Sequence, residues 1–513
     1  MYPGYWAKIH PTKAAAINSF TGETVSYEEL NNRSNQLAQL LHYEGLRSGD
    51  HISIFMENNL RYYEVIWAAL RSGLYITTVN RYLTTDEAAY IVNDSQSKAL
   101  ITSFYLREAA DGLPSKLDNC PVRLIVDGEL PGYASYQESL DHYPPCTLDA
   151  EPEGATMLYS SGSTGKPKGI KRRLPERSVA DFPERGLKPF SSHWHWDNST
   201  IYLNTAPNYH SGPMLFSVQS QRMGATVVMM PRFEAAKALK AIEDFGVTHS
   251  QWVPTMFTRL LKLSEAERQQ YNLSSHKVAV HGSAPCPVSV KHDMIDWWGP
   301  ILYEFYGATE GVGSTLVTSE EWLKRPGTVG TPVGATIHIC DENGAELPPG
   351  EVGLIYFEVA KRVSFKYHKD SDKTHKSRHP THETWIAIGD MGYLDDEGYL
   401  FLKDRADFMI ISGGVNIYPR ESEDALIQHP QVADVVVFGV PNEEMGEEVK
   451  AIVQLESPAS ATGAMEQELI TYARERLAHF KCPRSIDFVD QLPRLPTGKI
   501  SVAALRAKYW TRQ

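Results

Sequence analysis

Helical and strand-like segments alternate along the first hundred residues of this chain. The sequence predicts strands at 51–56, 74–79 and 99–102, with helices at 60–71 and 85–93 between them. Ser26 and Glu29 have the spacing of a capping box and predict the start of an earlier helix. Strands that alternate with helices pair in parallel, because each helix carries the chain back to the same edge of the sheet. The sequence therefore predicts an α/β fold, which by itself assigns no function.

The later part of the chain changes character. Short apolar segments at 331–356, separated by Asn343-Gly344 and a Pro-Pro-Gly turn, predict antiparallel hairpins and a small β-barrel-like part. Past Arg405 the pattern restarts as a small α+β unit, with helices at 421–429 and 467–477 and strands at 432–440 and 449–455. We therefore expect two domains, 1–404 and 405–513, with a boundary at 404–407.

Two segments are expected to be surface loops. Residues 171–200 combine basic, proline and aromatic residues, and residues 366–383 are charged and rich in histidine. We interpret His193 and His195 as packing residues of the first loop, since paired histidines among aromatic residues are more often that than metal ligands.

Composition excludes several classes of protein. The chain has 513 residues and a net charge of −13, which argues against a dedicated nucleic-acid binder. Its five cysteines form no CxxC pair, so the sequence predicts neither a zinc site nor a disulfide framework. We expect a cytoplasmic enzyme without a signal peptide or a transmembrane segment. A homodimer is left open.

A glycine- and hydroxyl-rich segment follows the strand predicted at 155–159. Residues 160–169 read SSGSTGKPKG, with three glycines, four hydroxyls and two lysines. Glycine lets backbone N–H groups turn toward a phosphate, hydroxyls donate to its oxygens and lysine adds charge, so the segment indicates a polyphosphate site. Pro167 after Lys166 breaks the Walker pattern, which argues against a P-loop kinase or GTPase. A flexible surface loop would need neither the strand nor the lysines.

The segment YSSGSTGKPKG at 159–169 resembles the AMP-binding signature of the adenylate-forming superfamily. That superfamily includes acyl-CoA synthetases, adenylation domains of peptide synthetases and beetle luciferases. Three further segments resemble its motifs in the expected order: YEFYGATE at 303–310, Gly389-Asp390 followed by DRAD at 404–407, and LPTGKI at 495–500. The resemblance covers nearly the whole chain and implies a large N-terminal domain with a small, mobile C-terminal domain.

The resemblance also implies a two-step reaction that uses ATP, Mg²⁺ and coenzyme A. A carboxylate attacks the α-phosphorus of ATP and releases pyrophosphate, and the thiol of coenzyme A then displaces AMP. The implied catalytic residues are Lys499, His210, Glu310 and Thr164, of which Glu310 and Thr164 would hold the metal, and Asp407 is the implied hinge. The residues implied to bind nucleotide or coenzyme A are Ser160, Ser161, Gly162, Ser163, Thr164, Gly165, Lys166, Lys168, Gly282, Ser283, Ala284, Tyr306, Gly307, Thr309, Asp390, Arg405, Gly413 and Gly414.

Individual roles follow from the same resemblance. Asp390 would accept hydrogen bonds from the ribose hydroxyls, Tyr306 would stack on adenine, and Arg405 would hold ribose or phosphate. Lys499 would bridge the incoming carboxylate and the α-phosphate. His210 resembles the histidine at the mouth of the family's acyl pocket, although Asn208 replaces a residue that is often apolar there. A purely structural histidine is the alternative for His210.

The acid itself is less constrained. An apolar pocket wall is expected from Met214, Phe216, Trp252, Met256 and Phe257, which suits a hydrophobic monocarboxylic acid. Residues 211–214 lack the aspartate that amino-acid adenylation domains commonly place there. Fatty, aryl-alkanoic and steroid side-chain acids all stay open. Adenylation for another acceptor, luciferase-like oxidation and a non-catalytic nucleotide sensor are the remaining alternatives, and the retained motifs argue against the sensor.

Overall fold

The computed structural model describes residues 1–160, 167–359, 365–405, 408–412, 415–442, 445–494 and 500–510. Within these ranges only the backbone is described at Ser160, Arg185, Asp404, Arg405, Asn416 and Ala503. Among the helices of the described ranges, none combines the length and the apolar character that crossing a membrane requires.

The described strands, in chain order, are β1 (Ala14–Asn18), β2 (Thr24–Ser26), β3 (His51–Phe55), β4 (Tyr75–Thr78), β5 (Ser97–Ser103), β6 (Val122–Val126), β7 (Ala134–Ser135), β8 (Ala155–Ser160), β9 (Lys168–Arg172), β10 (Ile201–Asn204), β11 (Thr226–Met229), β12 (His249–Trp252), β13 (Val278–His281), β14 (Leu302–Gly307), β15 (Ser314–Thr318), β16 (Thr328–Val333), β17 (Thr336–Cys340), β18 (Gly353–Glu358), β19 (Phe365–Tyr367), β20 (Trp385–Leu394), β21 (Leu400–Arg405), β22 (Ile410–Ser412), β23 (Val415–Ile417), β24 (Val432–Asn442), β25 (Gly446–Leu455) and β26 (Ser485–Phe488).

The described helices are α1 (Pro3–Ile9), α2 (Tyr27–Tyr43), α3 (Arg61–Arg71), α4 (Thr85–Asp94), α5 (Arg107–Ala110), α6 (Tyr136–Asp141), α7 (Ser211–Arg222), α8 (Ala235–Phe245), α9 (Pro254–Leu261), α10 (Glu265–Arg268), α11 (Val288–Trp298), α12 (Ser319–Lys324), α13 (Ser371–Lys376), α14 (Pro419–Leu426), α15 (Gly463–Arg474) and α16 (Val502–Trp510). The capping box that the sequence predicts ahead of α2 is present, with Ser26 and Glu29 capping each other reciprocally.

Two sheets built on parallel strands form the large N-terminal part. One has the order β19-β9-β8-β4-β3-β5-β6-β7, and strands β3 to β8 pair in parallel. The other has a parallel block β14-β13-β12-β10-β11-β1. Antiparallel strands β15, β16, β21, β20, β18 and β17 continue this second sheet beyond β14. The predicted mixed α/β class with antiparallel hairpins is confirmed.

Helices α2, α3 and α7 lie between these sheets, because their apolar side chains share one core with β3 and β11. Two buried polar contacts join α3 to α7: the indole nitrogen of Trp67 donates to Gln221 at 2.6 Å, and Tyr63 lies 3.3 Å from Ser217. A separate five-stranded sheet, β23-β22-β25-β24 with β26 beside β25, forms the small C-terminal unit with α14, α15 and α16. Its own core includes Val435, Ile470 and Ile486.

The segment 171–200 differs from the predicted surface loop. It has only short helical turns after β9, but Phe190, Trp194 and Trp196 are buried in the core against Phe216 of α7. His193 and His195 are exposed, so their interpretation as packing residues is wrong. The tryptophans on either side of His195 do the packing, and His195 itself has a left-handed backbone conformation with φ of +54°.

The segment 366–383 also departs from the prediction of an exposed loop. Strand β19 adds to the edge of the first sheet by pairing antiparallel with β9, and α13 follows it. This placement brings Tyr367 beside Glu310. A three-residue strand is too short to leave a periodic signal in the sequence. Its partner β9 also lies far away along the chain, so no local pattern indicates the pairing.

Candidate active site

The predicted nucleotide residues gather at one edge of the second sheet. Strands β12, β13 and β14 are parallel neighbours, so their carboxyl ends lie side by side. The loop after β13 carries Gly282, Ser283 and Ala284, while β14 ends on Tyr306 and Gly307 and leads to Thr309 and Glu310. Open α/β sheets bind ligands in the crevice at this edge. The structure thus brings two separate predicted motifs into one place.

The loop after β13 has room for backbone only. A Cβ on Gly282 would lie 2.5 Å from the carbonyl oxygen of Phe305, a distance that side chains do not tolerate. Ser283 adopts a left-handed backbone conformation, with φ of +68°. Such residues commonly occur where a ligand approaches closely, and a flat base fits beside exposed backbone of this kind.

Tyr306 and Asp390 meet across the edge of the sheet. The hydroxyl of Tyr306 donates a hydrogen bond of 2.6 Å to Oδ2 of Asp390, a residue of β20. The backbone of Asp390 lies opposite that of Arg405 on β21 in an antiparallel pair, while the Arg405 side chain is outside the described part. A carboxylate that accepts one hydroxyl here can equally accept the two hydroxyls of a ribose. Asp390 therefore fits its predicted role chemically.

Glu310 is held by a strand of the other sheet. The hydroxyl of Tyr367 on β19 donates to Oε1 of Glu310 at 2.7 Å. The backbone oxygen of the preceding Thr309 accepts from Nη2 of Arg172 on β9, also at 2.7 Å. A carboxylate oxygen is a hard ligand of the type that Mg²⁺ prefers, and Mg²⁺ is commonly bound by one carboxylate together with substrate phosphates and water. Glu310 thus fits the metal, whereas Thr164 lies outside the described residues.

The hairpin β8–β9 carries the phosphate segment. The Ser160 backbone lies opposite Lys168, and Lys168 forms an ion pair of 3.1 Å with Asp370. Tyr159 donates to Asp94 at 2.7 Å, and burial, together with the hydrogen bond to that carboxylate, raises the pKa of Tyr159. Side chains of both arms are therefore held from outside the hairpin, by the end of α4 and by the residue that caps α13. The remaining predicted residues, Ser161, Gly162, Ser163, Thr164, Gly165 and Lys166, lie outside the described part.

His210 immediately precedes α7 and is its N-cap residue. The next residue, Ser211, has its hydroxyl oxygen 3.4 Å from that of Thr309, so the start of α7 lies beside the Glu310 loop. Asn208 is fully buried: it accepts a hydrogen bond from Asn204 at 2.7 Å and donates one to Tyr63 at 3.3 Å. This buried polar network explains why an apolar residue is absent at position 208.

The predicted apolar pocket wall is divided between two cores. Met214 and Phe216 of α7 pack with Trp194 in the core between the sheets. Trp252, Met256 and Phe257 pack instead in a second core with α8 and α11, on the opposite face of the sheet. The structure therefore does not support the prediction that Trp252, Met256 and Phe257 line the pocket.

Gln251 was missed by the sequence analysis. Neighbouring residues of a strand face opposite sides, and Trp252 of β12 faces away from α7, so Gln251 faces α7. Strict alternation along β12 was the signal that could have found it. The other predicted residues Lys499, Asp407, Gly413 and Gly414 lie outside the described part.

Comparison with known proteins agrees with this arrangement. Residues 5–361 match the AMP-binding enzyme family, and residues 421–499 match the C-terminal domain of AMP-binding enzymes. The chain is 32% identical, over 99% of its length and 95% of the relative's, to the fatty acid–acyl-carrier-protein ligase ScoC of Streptomyces coeruleorubidus. It is 29% identical, over 96% of both chains, to a 2-succinylbenzoate–CoA ligase of Bacillus licheniformis.

A solved structure supports the same conclusion. The o-succinylbenzoate CoA synthetase MenE of Bacillus subtilis, in complex with its acyl-adenylate intermediate, superimposes with a TM-score of 0.81 and 26% identity, covering 98% of this chain and 97% of that one. Fold, site and relatives define an adenylate-forming enzyme of the acid–thiol ligase class. The chain belongs to the AMP-binding enzyme family.

Proposed function

We propose that this chain is an AMP-forming acyl-CoA ligase that activates a hydrophobic monocarboxylic acid. The observation that carries the proposal is the convergence of Gly282–Ala284, Tyr306, Glu310 and Asp390 at one sheet edge, next to the start of α7. A nucleotide and an apolar acid would then meet at the start of α7. We further propose that the enzyme works in the cytoplasm, where ATP and coenzyme A are its co-substrates.

In the first step, a carboxylate oxygen of the acid attacks the α-phosphorus of ATP, and the bond to pyrophosphate breaks. Gly282 and Ser283 would hold the base, and Asp390 would accept the ribose hydroxyls in place of the Tyr306 hydroxyl. Mg²⁺ held by Glu310 would neutralise charge on the phosphates. Lys499 would stabilise the charge that grows between the carboxylate and the α-phosphate, because fixed positive charge lowers the barrier between two anions.

In the second step, the thiolate of coenzyme A attacks the acyl carbonyl carbon, and AMP leaves with the electrons of the acyl–phosphate bond. We propose that the unit after 404–407 rotates about Asp407, withdraws Lys499 and brings Gly413 and Gly414 to the pantetheine arm. The small unit has contacts suited to one such orientation: Arg420 donates to the carbonyl oxygen of Pro285 at 3.2 Å, and Lys262 pairs with Glu456.

A second candidate acceptor is the phosphopantetheine thiol of an acyl-carrier protein. The 32% identical relative is named as a ligase of that kind. The chemistry of both steps is unchanged, and only the carrier of the thiol differs. Aryl-alkanoic and steroid side-chain acids remain alternatives to a fatty acid.

The proposal is tested with purified protein, ATP, Mg²⁺ and a panel of carboxylic acids. We expect pyrophosphate release that depends on the acid, and AMP release that rises on adding coenzyme A. AMP release that responds to acyl-carrier protein but not to coenzyme A would establish the second candidate. Release of ADP, or no pyrophosphate with any acid, would overturn the proposal.

The Lys499→Ala variant separates the two steps. We expect it to lose pyrophosphate release by roughly a hundredfold or more, since a preorganised charge acting on the transition state contributes effects of this size. Thioester formation from supplied acyl-adenylate should stay within a few-fold of the parent enzyme. Equal losses in the two half-reactions would show that Lys499 has a different role.

A further inference from the structure

Gln251 is a buried polar residue on the face of the sheet toward α7, to which the reaction described above gives no task. It is 3% exposed and is the penultimate residue of β12. Its neighbours Ser250 and Trp252 point to the other face, where Trp252 donates to the Ser250 hydroxyl. The Gln251 side chain is therefore on the α7 side, at the carboxyl edge where the predicted nucleotide residues gather.

Within the described ranges, only one end of the Gln251 amide is paired. Its Oε1 accepts a hydrogen bond of 3.2 Å from the buried hydroxyl of Tyr202, which fixes the orientation of the amide. Among the described residues, none accepts a hydrogen bond from Nε2. The Nε2 atom is not completely enclosed by the protein, so it faces open space. Water can satisfy such a donor in the free enzyme, and a ligand that displaces this water must supply an acceptor in its place or lose affinity.

The position of Nε2 identifies that space. A Cβ added to Gly212 would lie 2.8 Å from Nε2 and 3.9 Å from the Ser283 hydroxyl oxygen, so the amide points between the first turn of α7 and the loop after β13. The neighbouring Ser211 contacts Thr309, beside Glu310. Nε2 therefore lies at the end of the pocket where the carboxyl group of a substrate would react.

The other end of this side of α7 is apolar. Phe216 lies one helical turn beyond Gly212. Its ring centroid is 5.2 Å from that of Trp194 and 5.8 Å from that of Phe305. A substrate that enters between Gly212 and Ser283 would thus meet a hydrogen-bond donor near its carboxyl group. An unsubstituted alkyl chain would leave the donor without a partner.

We propose that Nε2 of Gln251 donates a hydrogen bond to an oxygen on the acyl group, so that the preferred acid carries a hydroxyl or keto oxygen within its first few carbons. This inference rests on the proposed ligase function and narrows its substrate class. Leaving such a donor unpaired changes an equilibrium by roughly 5- to 150-fold, and discrimination against the unsubstituted acid should fall in that range.

The test compares matched acids by kcat/KM for pyrophosphate release. The probes are octanoic acid with its 2-hydroxy and 3-hydroxy derivatives, and 4-phenylbutanoic acid with 4-oxo-4-phenylbutanoic acid. We expect the parent enzyme to prefer at least one oxygenated acid by at least about fivefold. Gln251→Leu should reduce that preference to within about twofold, chiefly by lowering kcat/KM for the oxygenated acid.

Two further variants distinguish recognition from damage to the fold. Gln251→Leu with Tyr202→Phe removes the hydroxyl that the single variant leaves unpaired, and it should show the same loss of preference with a thermal midpoint nearer the parent's. Gln36→Leu is the matched control, because Gln36 on α2 donates to Tyr143 at 3.0 Å, away from the site, and should keep the preference.

An unchanged preference in both Gln251 variants, or a parent enzyme that favours the unsubstituted acids, would overturn the inference while leaving the ligase function intact. Absence of pyrophosphate with every acid would instead count against the proposed function. The two failures are therefore distinguishable in one experiment.

Discussion

A buried ion pair and a buried amide lie on opposite faces of strands β12 to β14, and the two differ in how their polar groups are paired. On the face toward α11, called here the closed face, Lys291 donates to Oε2 of Glu304 at 2.6 Å, and both residues are almost completely buried. The ammonium of Lys291 also lies 4.7 Å from the ring centroid of Trp322. On the face toward α7, called the pocket face, one end of the Gln251 amide accepts from Tyr202 and the other has no partner among the described residues.

The difference separates structural from functional polar groups. The charges on the closed face are compensated within the protein, so this pair fixes β14 against α11 and offers nothing to a ligand. On the pocket face, Nε2 of Gln251 donates to no residue of the described ranges and stays available to a ligand. Both faces belong to the same few strands, so a substitution's effect on stability or on substrate choice should depend on the direction of the side chain.

The largest effect is expected on the closed face, from Lys291→Met. This substitution leaves Glu304 buried without its partner, and breaking a buried ion pair in this way costs about 3–5 kcal/mol. Urea denaturation should therefore show a free energy of unfolding lower by that amount. A loss below about 1 kcal/mol would mean that the pair is not sealed from water.

The control for this experiment removes both charges. Lys291→Met combined with Glu304→Leu leaves no unpaired charge, and apolar replacements of buried ion pairs are often neutral. The double variant should regain most of the lost stability, which would attribute the loss to the orphaned carboxylate and not to changed packing.

A medium effect is expected from His276, which is buried on the closed face and has Nε2 2.6 Å from the Ser250 hydroxyl oxygen. Burial lowers the pKa of His276 from 6.5 to about 3. Below about pH 6.5, His276 is therefore protonated in the unfolded chain, whereas in the folded chain it stays neutral down to about pH 3. The contribution of His276 to the free energy of unfolding is therefore fully present above pH 6.5. It decreases as the pH falls, by about 1.4 kcal/mol per pH unit.

The His276→Gln variant measures this contribution. Between about pH 6 and pH 4.5, its free energy of unfolding should fall less steeply than that of the parent by roughly 1.4 kcal/mol per pH unit. Other titrating groups cancel in the difference between the two proteins. Parallel curves would show that His276 gains a proton in the folded state as readily as in the unfolded chain.

The smallest effect is expected at the edge of the sheet, from Tyr367→Phe. It removes one hydrogen bond to Glu310, and such a bond contributes about 0.5–1.5 kcal/mol, which corresponds to roughly 2- to 10-fold in an equilibrium constant. We expect the Mg²⁺ concentration at half-maximal activity to rise by that factor, and the affinity for Mn²⁺–ATP measured by calorimetry to fall equally.

Tyr399→Phe is the matched control for that variant, because Tyr399 donates to Glu321 at 3.3 Å far from Glu310. It should leave the metal dependence unchanged. An equal shift in both tyrosine variants would show that Tyr367 acts through general stability and not through Glu310.

Much of the fold could be predicted because its signals are local. The capping box at Ser26 and the apolar segments of β3, β4 and β5 are readable within a few residues of sequence. The burial of Trp194 and Trp196 could not be predicted, since it depends on Phe216 of a later helix. Likewise, β19 exists only because β9 offers an edge to a three-residue segment.

The site residues divide in the same way, into those that a local motif identifies and those that depend on distant contacts or on the direction of a side chain. Gly282, Tyr306, Glu310 and Asp390 were identified from motifs, and the structure brings them to one edge. Trp252 and Phe257 were assigned to the pocket by their position in the chain, although the alternation of β12 turns Trp252 to the closed face. Gln251 was missed for the same reason. Tyr367 has no motif and is recognised only through its contact with Glu310.

The hydrogen bond between Tyr306 and Asp390 would have an energetic consequence for a nucleotide bound as proposed above. If ribose hydroxyls replace the phenol as donors to Asp390, the carboxylate exchanges one protein partner for ligand partners and is never left bare. The net enthalpy from this contact would then be small. Affinity for ATP would accordingly depend more on the phosphates and the base than on the sugar.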